Sequence, residues 1–431
     1  MSFTRRWFDP IRSRWFFGRP FRQRRLSSRE GITVYLRFDD AYSYLLVQLL
    51  PQLVELLKPQ LKPLNIVLCI QASSSPNGLS VQAWQDYMLN DASALAIQHR
   101  FVFDKKNIQI PNHTRIQQAI DILKASPLRG TDYLRLLQDI FHMLWQNQQG
   151  KLSTLHYMAT RRQHMPANLN NHGSVAIRFV DEPIQSAFLL FGSRHYRAID
   201  DFLSLTRRLK QQKLLNNEPI FLINQVEWGE HLVNDPESLS EIQALHATLD
   251  IYVALEDPIS WLILAYIKRE LVDYYNLCLQ VHPLPHQGRD EFDWGRIARL
   301  AYRTEVDIAP FCRPTQTGVL HLASILYGID VEARSDALLD MLQGIWCKGL
   351  DADFVPHLQQ LKPDPNKCLT LDLTQAQAWL QANQAACQRY QQPDLPVMVL
   401  QIGQQQHVFN SLYRVWRIES LLAEVLSAQV V

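Results

Sequence analysis

The 431-residue sequence lacks most of the features that assign chemistry directly. Its six cysteines contain no CxxC pair, and five lie in the second half of the chain, so they form no shared framework and are typical of reduced thiols in a cytosolic protein. Only 15 glycines occur, and none belongs to a loop that would cradle phosphate groups. No apolar run approaches the ~20 residues of a membrane-spanning helix.

An excess of charge of one sign is also missing, because 43 lysines and arginines face 42 acidic residues and leave a formal net charge of +1. Such a balance gives no general attraction to nucleic acid or to a membrane. Arginines interrupt every apolar run near the N-terminus, so no secretory signal core is predicted there. We therefore expect a cytoplasmic protein that is long enough for two domains.

Residues 1–29 are the local exception to this neutrality. They carry nine arginines and seven phenylalanine or tryptophan residues, with Asp9 as the only acid. Arginine beside aromatic rings can bind phosphates or enter a lipid interface. The alternative is a tail that packs its aromatics onto its own domain and leaves the arginines solvated. The absence of amphipathic helical spacing favours this second interpretation.

The strongest positive feature is a motif that occurs twice, at residues 32–45 and 249–262. In each copy an apolar β-branched run leads into an acidic turn and then into an apolar stripe with helical spacing. The copies align without a gap and pair the following residues: Tyr35 with Tyr252, Asp40 with Asp257, Ser43 with Ser260, and Tyr44 with Trp261. A repeat at this distance predicts two related domains, with a site at the strand-to-helix turn.

The order of predicted elements is also the same in the two halves: strand, helix, strand, a long helical insertion, and a final strand and helix. This order predicts an α/β fold in which the insertion packs over one end of a small sheet. The predicted segments are a basic aromatic tail at 1–30, a first domain at 31–215, a connection at 216–247 and a second domain at 248–431. Thr131 is predicted to cap a helix of the first insertion.

The second copy of the motif resembles a known family. Residues 256–262, Glu-Asp-Pro-Ile-Ser-Trp-Leu, are similar to the first strand–helix turn of the DsbA-like branch of the thioredoxin superfamily. Within that branch they resemble 2-hydroxychromene-2-carboxylate isomerases and kappa-class glutathione transferases most. Residues 344–351 resemble the end of the family's helical insertion, residues 395–400 its cis-proline segment, and residues 417–422 the start of its last helix.

This resemblance covers most of residues 31–213 and 249–427. It implies two tandem thioredoxin-like folds, each with a helical insertion. In the second copy it implies a cis bond between Leu395 and Pro396, with Leu395 facing the acidic turn. In the first copy, Ser186 is predicted to take the place of the proline.

Both copies depart from the family at its reactive position, where the family has a serine or a cysteine and this chain has Asp40 and Asp257. A serine hydroxyl at a helix N-terminus can donate to a glutathione thiolate. A carboxylate there repels the thiolate and competes for the same backbone N–H groups. Dithiol chemistry is excluded because neither turn contains a thiol.

Three interpretations of the two aspartates remain open. Each can be an N-cap, which is worth about 1 kcal/mol of stability. Asp257 can instead be a general acid or base whose pKa is tuned by burial. Finally, the Asp–Pro turn can be the remnant of a site that now binds a partner.

Two further groups of residues are weaker candidates. The histidines and acids of residues 282–291 have donor atoms that suit a metal, but the prolines between them oppose the helix that would align them, so no metal site is predicted. By resemblance this stretch lines the substrate pocket, which makes His286 and Arg289 pocket candidates. Cys347 is expected to be a small buried apolar residue rather than a nucleophile.

The sequence leads to two hypotheses about function. The first is an isomerase or glutathione transferase with one site in the second domain, a small-molecule substrate, glutathione as the candidate cofactor and no metal. Its residues are Asp257 as the catalytic group and, for substrate binding, Pro258, Ser260, Trp261, His286, Leu395 and Pro396, with Asp40, Ser43, Tyr44 and Ser186 as degenerate counterparts in the first domain. The second hypothesis is a catalytically inactive pair of thioredoxin-like folds that acts in binding or assembly, with residues 1–29 as a candidate contact to an anionic surface.

Overall fold

The computed structural model of the chain describes these residues: 31–58, 64–70, 79–103, 105–162, 175–181, 183–192, 194–216, 231–288, 292, 294–309, 312–362 and 371–429. They form two compact units, one before residue 217 and one after residue 230. Each unit has its own β-sheet. The predicted domain boundaries at 30, 215 and 247 stay predictions. The basic segment 1–29 and the residues Arg289, Asp290 and Glu291 lie outside the described residues.

The first unit combines a five-stranded sheet with helices. Its strands are β1 (Ile32–Arg37), β2 (Leu64–Cys69), β3 (Val175–Val180), β4 (Phe188–Phe191) and β5 (Arg194–Arg197). Its helices are α1 (Ala41–Val47), α2 (Leu50–Leu56), α3 (Val81–His99), α4 (His113–Ala125), α5 (Gly130–Trp145), α6 (Gln149–Arg162) and α7 (Phe202–Gln211). The strand order is β3-β2-β1-β4-β5, with β1, β2 and β3 parallel and β4 antiparallel to both of its neighbours.

The second unit combines a four-stranded sheet with helices. Its strands are β6 (Thr248–Ala254), β7 (Cys278–Leu284), β8 (Val397–Ile402) and β9 (Gln405–Asn410). Its helices are α8 (Pro236–Ala244), α9 (Pro258–Ile267), α10 (Trp294–Thr304), α11 (Gln316–Tyr327), α12 (Arg334–Trp346), α13 (Val355–Leu361), α14 (Leu373–Gln388) and α15 (Trp416–Gln429). A π-helical turn, Lys268–Val272, and a short α-helical turn, Asp273–Tyr275, extend α9. The strand order is β7-β6-β8-β9.

The two sheets share one topology. In each, the first two strands are parallel, and an antiparallel hairpin lies on the other side of the first strand. The helical insertion separates the second strand from this hairpin, and a last helix follows the hairpin. This arrangement is a thioredoxin-like fold, so the predicted fold class, α/β with two thioredoxin-like folds that each carry a helical insertion, is confirmed. The extra strand β3 distinguishes the first sheet from the second.

The central strands form where the sequence has runs rich in apolar and β-branched residues. Val34 of β1 and Ile251 of β6 are fully buried, as are most of their neighbours in these strands. Helix α9 begins at Pro258, because proline already has the φ of a first helical turn and no N–H is needed there. Among the described residues, no helix combines the length and the apolarity that crossing a bilayer requires.

A pair of tryptophans shows how closely the two insertions correspond. Trp145 ends α5 and Trp346 ends α12, and both side chains are fully buried. Each residue accepts a hydrogen bond at its backbone carbonyl from a loop N–H: Gln109 N donates to Trp145 at 3.1 Å, and Ala309 N donates to Trp346 at 2.9 Å. The two insertions therefore use the same helix end to fix the same kind of loop.

Two local features differ from the predictions. Helix α5 begins at Gly130, so Thr131 lies inside its first turn and is not its cap. The outer hairpin strands β5 and β9 are not predicted from the sequence, because their residues are mostly polar, as is common at a sheet edge. Glycines with positive φ follow β4 and β8, where the chain reverses direction in each unit: Gly192 at +62° and Gly403 at +58°.

Gly344 in α12 has no room for a side chain. A Cβ at this position would lie 2.6 Å from Leu361 Cδ2 and 3.2 Å from Leu350 Cδ1. We expect Gly344→Ala to lower the free energy of unfolding by about 1–3 kcal/mol, because packed side chains must move. The matched control is Gly150→Ala in α6, where no atom lies within 4 Å of the added Cβ.

Gly150→Ala should instead raise the free energy of unfolding by up to about 1 kcal/mol, since alanine favours the helix. Urea unfolding of the native protein and both variants measures the two effects side by side. A Gly344→Ala protein as stable as the native protein would contradict the close packing between α12 and α13.

Candidate functional site

Both strand-to-helix turns have nearly the same backbone. Asp40, between β1 and α1, has φ −106° and ψ 118°, and Asp257, between β6 and α9, has φ −102° and ψ 117°. The side chain of Asp40 accepts a hydrogen bond from Ser43 N, and that of Asp257 accepts one from Ile259 N, both at 2.9 Å. Both aspartates are therefore N-caps, which confirms that interpretation. Catalysis by Asp257 stays a prediction.

In the first unit the capping carboxyl group is fully bonded. Asp40 is 0% exposed. Its Oδ2 accepts hydrogen bonds from Ser43 N at 2.9 Å, Ser43 Oγ at 2.7 Å and Ala187 N at 2.9 Å, and its Oδ1 accepts one from Ser186 Oγ at 3.2 Å. The structure thus brings together three residues that the sequence predicts as a degenerate site: Asp40, Ser43 and Ser186.

Arg37, the last residue of β1, supplies a buried positive charge to this turn. Its Nε pairs with Asp39 Oδ1, and its Nη1 donates to the carbonyl oxygens of Ile184 at 2.6 Å and Gln185 at 3.2 Å. The guanidinium therefore links the turn to the segment that leads into β4. Arg37 is not among the site residues predicted from the sequence, although a charged residue at the end of an apolar strand is a visible signal.

Burial raises the pKa of the Asp40 carboxyl group above its ordinary value, because desolvation disfavours the charged form. The charge of Arg37 and the hydrogen bonds from Ser43 and Ala187 lower the pKa and offset part of this effect. A carboxyl group with four donors and no exposed surface presents no face to a substrate. The first turn is therefore closed.

Tyr44, the counterpart of Trp261, belongs to an aromatic cluster beneath the first turn. Its ring lies parallel to that of Trp145, with centroids 5.9 Å apart, and its hydroxyl bonds to His142 Nδ1 at 3.0 Å. Trp145 Nε1 donates to the carbonyl of Phe38, the residue after β1, at 3.0 Å. Since Tyr44 is 1% exposed, it holds α5 against the turn and does not line an open pocket.

The second turn buries polar atoms that have no partner. Glu256 and Asp257 are 1% and 3% exposed, and Ser260 is 0% exposed. Glu256 Oε1 accepts a hydrogen bond from Gln287 N at 2.6 Å. Among the described residues, neither Glu256 Oε2 nor Ser260 Oγ has a hydrogen-bond partner. Glu256 belongs to the repeated acidic-turn motif, but no role is predicted for it from the sequence.

Trp261 is buried and anchored beside this turn. Its Nε1 donates to the carbonyl of Asp307 at 3.1 Å, and Cys347 Sγ lies 3.1 Å from the same oxygen. Burial raises the pKa of the Cys347 thiol to about 11, which opposes formation of a thiolate. The tryptophan contact fixes the insertion against α9. The raised pKa supports the expectation that Cys347 is not a nucleophile.

The Leu395–Pro396 peptide bond is cis, as the resemblance implies. Pro396 is buried and Leu395 is half-buried, and Leu395 N donates to Asp394 Oδ1 at 3.1 Å. Because proline has no N–H, Pro396 cannot give Asp257 a hydrogen bond of the kind that closes the first turn. The two turns therefore differ in a donor as well as in their neighbouring charges.

Strand pairing corrects one predicted correspondence between the two copies. The pairs that fix it are Tyr35 with Phe188 and Tyr252 with Val397. Ala187 and Pro396 directly precede the paired residues of β4 and β8, so Ala187 takes the place of the proline and Ser186 corresponds to Leu395. The prediction is one residue off because no proline marks the register in the first copy.

The histidines after α9 lie in two different places. His286 is in the turn that follows β7, where its Nδ1 accepts a hydrogen bond from Gly288 N at 3.1 Å. Gln287 N, in the same turn, donates a hydrogen bond to Glu256. His286 is therefore next in the chain to a residue that contacts the second strand-to-helix turn. His282 lies within β7 and bonds through Nε2 to Asp250 Oδ1 at 2.6 Å. In the part of the chain that the structure describes, no three metal-binding side chains gather.

Comparison with known proteins gives weak likenesses only. No family model and no curated protein matches the chain. Three solved structures are similar over 42% of it: a candidate protein disulfide isomerase from Nitrosomonas europaea (11% identity, TM-score 0.32, 98% of that chain), a 2-hydroxychromene-2-carboxylate isomerase (18%, 0.30, 98%) and a probable DsbA oxidoreductase from Streptomyces coelicolor (13%, 0.32, 91%). Likenesses at these TM-scores carry no argument about function, and the fold assignment rests on the sheet topology.

We expect Asp40→Asn to preserve the closed first turn and Asp40→Ala to open it. An asparagine can keep its Oδ1 on the donors of Ser43 and Ala187 and donate its Nδ2 to Ser186 Oγ. Alanine leaves the buried N–H groups of Ser43 and Ala187 unbonded, at about 1–3 kcal/mol each. Urea unfolding at neutral pH should show a clear loss of stability for Asp40→Ala and a much smaller change for Asp40→Asn.

The pH dependence of the same pair tests the raised pKa of Asp40. Since the folded pKa is raised, the stabilising contribution of the neutral form is complete below the unfolded pKa of 3.8 and is lost as the pH rises through the folded pKa. Asp40→Asn removes this loss, so its stability relative to the native protein should increase with pH across the acid range. A difference that stays constant with pH would contradict the raised pKa.

Proposed function

We propose that this chain is a binding protein built on two thioredoxin-like folds, in which neither strand-to-helix turn carries out thiol chemistry. The observation that carries the proposal is the pair of capping carboxyl groups. Asp40 is 0% exposed and Asp257 is 3% exposed, and each accepts a hydrogen bond from a backbone N–H at the start of its helix. Those N–H groups are the ones that a bound thiolate would need.

Charge at the second turn supports the same proposal. Two like charges 4 Å apart repel each other by about 4 kcal/mol at an effective dielectric constant of 20. The second turn has two adjacent buried acidic residues, Glu256 and Asp257, where the family has one serine at its reactive position. A ligand without negative charge is therefore favoured over the glutathione thiolate.

One observation favours a second candidate, an isomerase of the glutathione-dependent type with its site in the second unit. Ser260 Oγ is buried and lacks a partner among the described residues, so it could bond to a ligand. In this candidate Asp257 is the acid or base, Trp261 forms a wall, and His286 and the Leu395–Pro396 segment complete the pocket. This candidate comes second because Asp257 already bonds to the N–H of Ile259, and the two adjacent acidic residues oppose a glutathione thiolate at this turn.

Calorimetric titration with glutathione separates the two candidates. For a binding protein without a thiolate site, we expect no saturable heat from the native protein up to about 1 mM glutathione, a limit of roughly 4 kcal/mol of binding free energy. Saturable, stoichiometric heat from the native protein would overturn the proposal and favour the isomerase.

Two matched variants sharpen this titration. Asp257→Ser restores the family's side chain at the second turn, and Asp40→Ser makes the same change at the first turn. Binding by Asp257→Ser alone would show that the second turn keeps the shape of a glutathione site and that the aspartate excludes the ligand. No saturable heat from the native protein or from either variant would agree with a binding role that does not involve glutathione.

A further inference from the structure

The two turns differ at one strand position, and this difference points to a class of ligand. Asp40 N donates to the carbonyl of Arg37 at 3.3 Å, and Asp257 N donates to the carbonyl of Ala254 at 3.1 Å. Arg37 and Ala254 are therefore equivalent. The first turn receives a guanidinium from its own strand, and the second turn has a methyl group in that place.

The contacts of Arg37 show what this guanidinium does. It pairs with Asp39, the residue before the capping aspartate, and it donates to two backbone carbonyls while being only 5% exposed itself. The residue equivalent to Asp39 in the second unit is Glu256. The acidic side chain is thus kept, while the strand position that supplies its cation in the first unit holds an alanine.

Glu256 shows the consequence of that loss. It is 1% exposed, its Oε1 is bonded to Gln287 N, and its Oε2 has no partner among the described residues. Ser260 Oγ, one helical turn further along the chain, is likewise buried and unpartnered. Burying a carboxylate oxygen without a hydrogen bond is costly, so these two atoms indicate a donor group that is supplied from elsewhere.

We propose that the guanidinium group of a ligand binds to Glu256 in the second unit and takes the role that Arg37 has in the first. A planar guanidinium presents several N–H donors in a fixed fork, which suits Glu256 Oε2 and leaves further donors for Ser260 Oγ. The ligand class is an arginine-like compound. This inference rests on the proposed binding function, because it names the class of ligand that would bind at the second strand-to-helix turn.

The turn at residues 285–288 defines the approach to this site. Gln287 N bonds to Glu256, and Gly288, next in the chain, is exposed. A Cβ added at Gly288 would meet no atom within 4 Å, so there is space beside this residue of the turn. A ligand that reaches Glu256 from this side displaces one hydrogen-bonded turn and leaves the sheet intact.

Calorimetry with two small probes tests the proposal on the full-length protein. The probes are N-acetyl-L-arginine amide and its neutral analogue N-acetyl-L-citrulline amide. We expect the native protein to bind the arginine probe at least about tenfold more tightly than the citrulline probe, because only the charged guanidinium forms an ion pair with the carboxylate. Glu256→Gln keeps an acceptor for Gln287 N and should weaken binding of the arginine probe at least about tenfold. Asp39→Asn, the matched change in the first unit, should leave the binding constant unchanged.

A second variant supplies the cation within the chain. Ala254→Arg places a guanidinium where the first unit has one, so it should raise the melting temperature and abolish binding of the arginine probe. Should this larger side chain prevent folding, Glu256→Gln still decides the question.

Three results would overturn the proposal: no binding of the arginine probe by the native protein, equal binding of both probes, or undiminished binding by Glu256→Gln. If the native protein also shows no binding of glutathione in that case, the proposed binding function is retained and only the proposed ligand class is wrong. Saturable binding of glutathione to the native protein would instead overturn the proposed function, a binding protein without thiol chemistry, whether or not the arginine probe binds.

Discussion

A carboxyl group buried at the end of the first strand is the constraint on which both units depend. The chain passes from strand to helix within a few residues, and the first N–H groups of that helix have no partner inside it. An aspartate satisfies one of them, but a buried carboxylate is tolerated only when other groups bond to it. The surroundings of Asp40 and Asp257 therefore decide what each turn can do.

The first unit offsets part of the cost of burial. Ser43, Ser186 and the N–H of Ala187 saturate the oxygens of Asp40, and Arg37 provides a positive charge. Each of these groups comes from the elements that the turn must hold together, namely β1, α1 and the segment before β4. The contacts that close the turn are consequently the same ones that join the sheet to its first helix.

The central elements could be predicted from the sequence because their signals are local. Apolar, mostly buried runs mark β1 and β6, and the repeated acidic turn marks the residues that cap α1 and α9. The edge strands β5 and β9 could not be predicted, since a polar strand gains its stability only from the neighbour with which it pairs. The register of β4 also depends on pairing, which explains the shift from Ser186 to Ala187.

The contacts of Arg37 and Glu256 could not be predicted for a related reason, although Arg37 itself stands out at the end of an apolar strand. Arg37 bonds to the carbonyl of Ile184, 147 residues further along the chain, and Glu256 bonds to Gln287 across the turn after β7. Neither contact has a periodicity or a spacing that a sequence motif could reveal. A residue type alone, acidic or basic, does not indicate whether its charge is satisfied.

Because the two units share their sheet topology and their capping aspartates, folding alone accounts for what they have in common. Function is then to be sought where they differ under the same fold. The differences gather at the second turn, where Ala254 stands in place of an arginine, Pro396 has no N–H to donate, and Glu256 has a buried oxygen without a partner among the described residues. Any one of these changes would weaken a purely structural turn. Their coincidence in one unit, beside a first unit in which Asp40 and Ser43 are hydrogen-bonded, is expected of a site that a ligand completes.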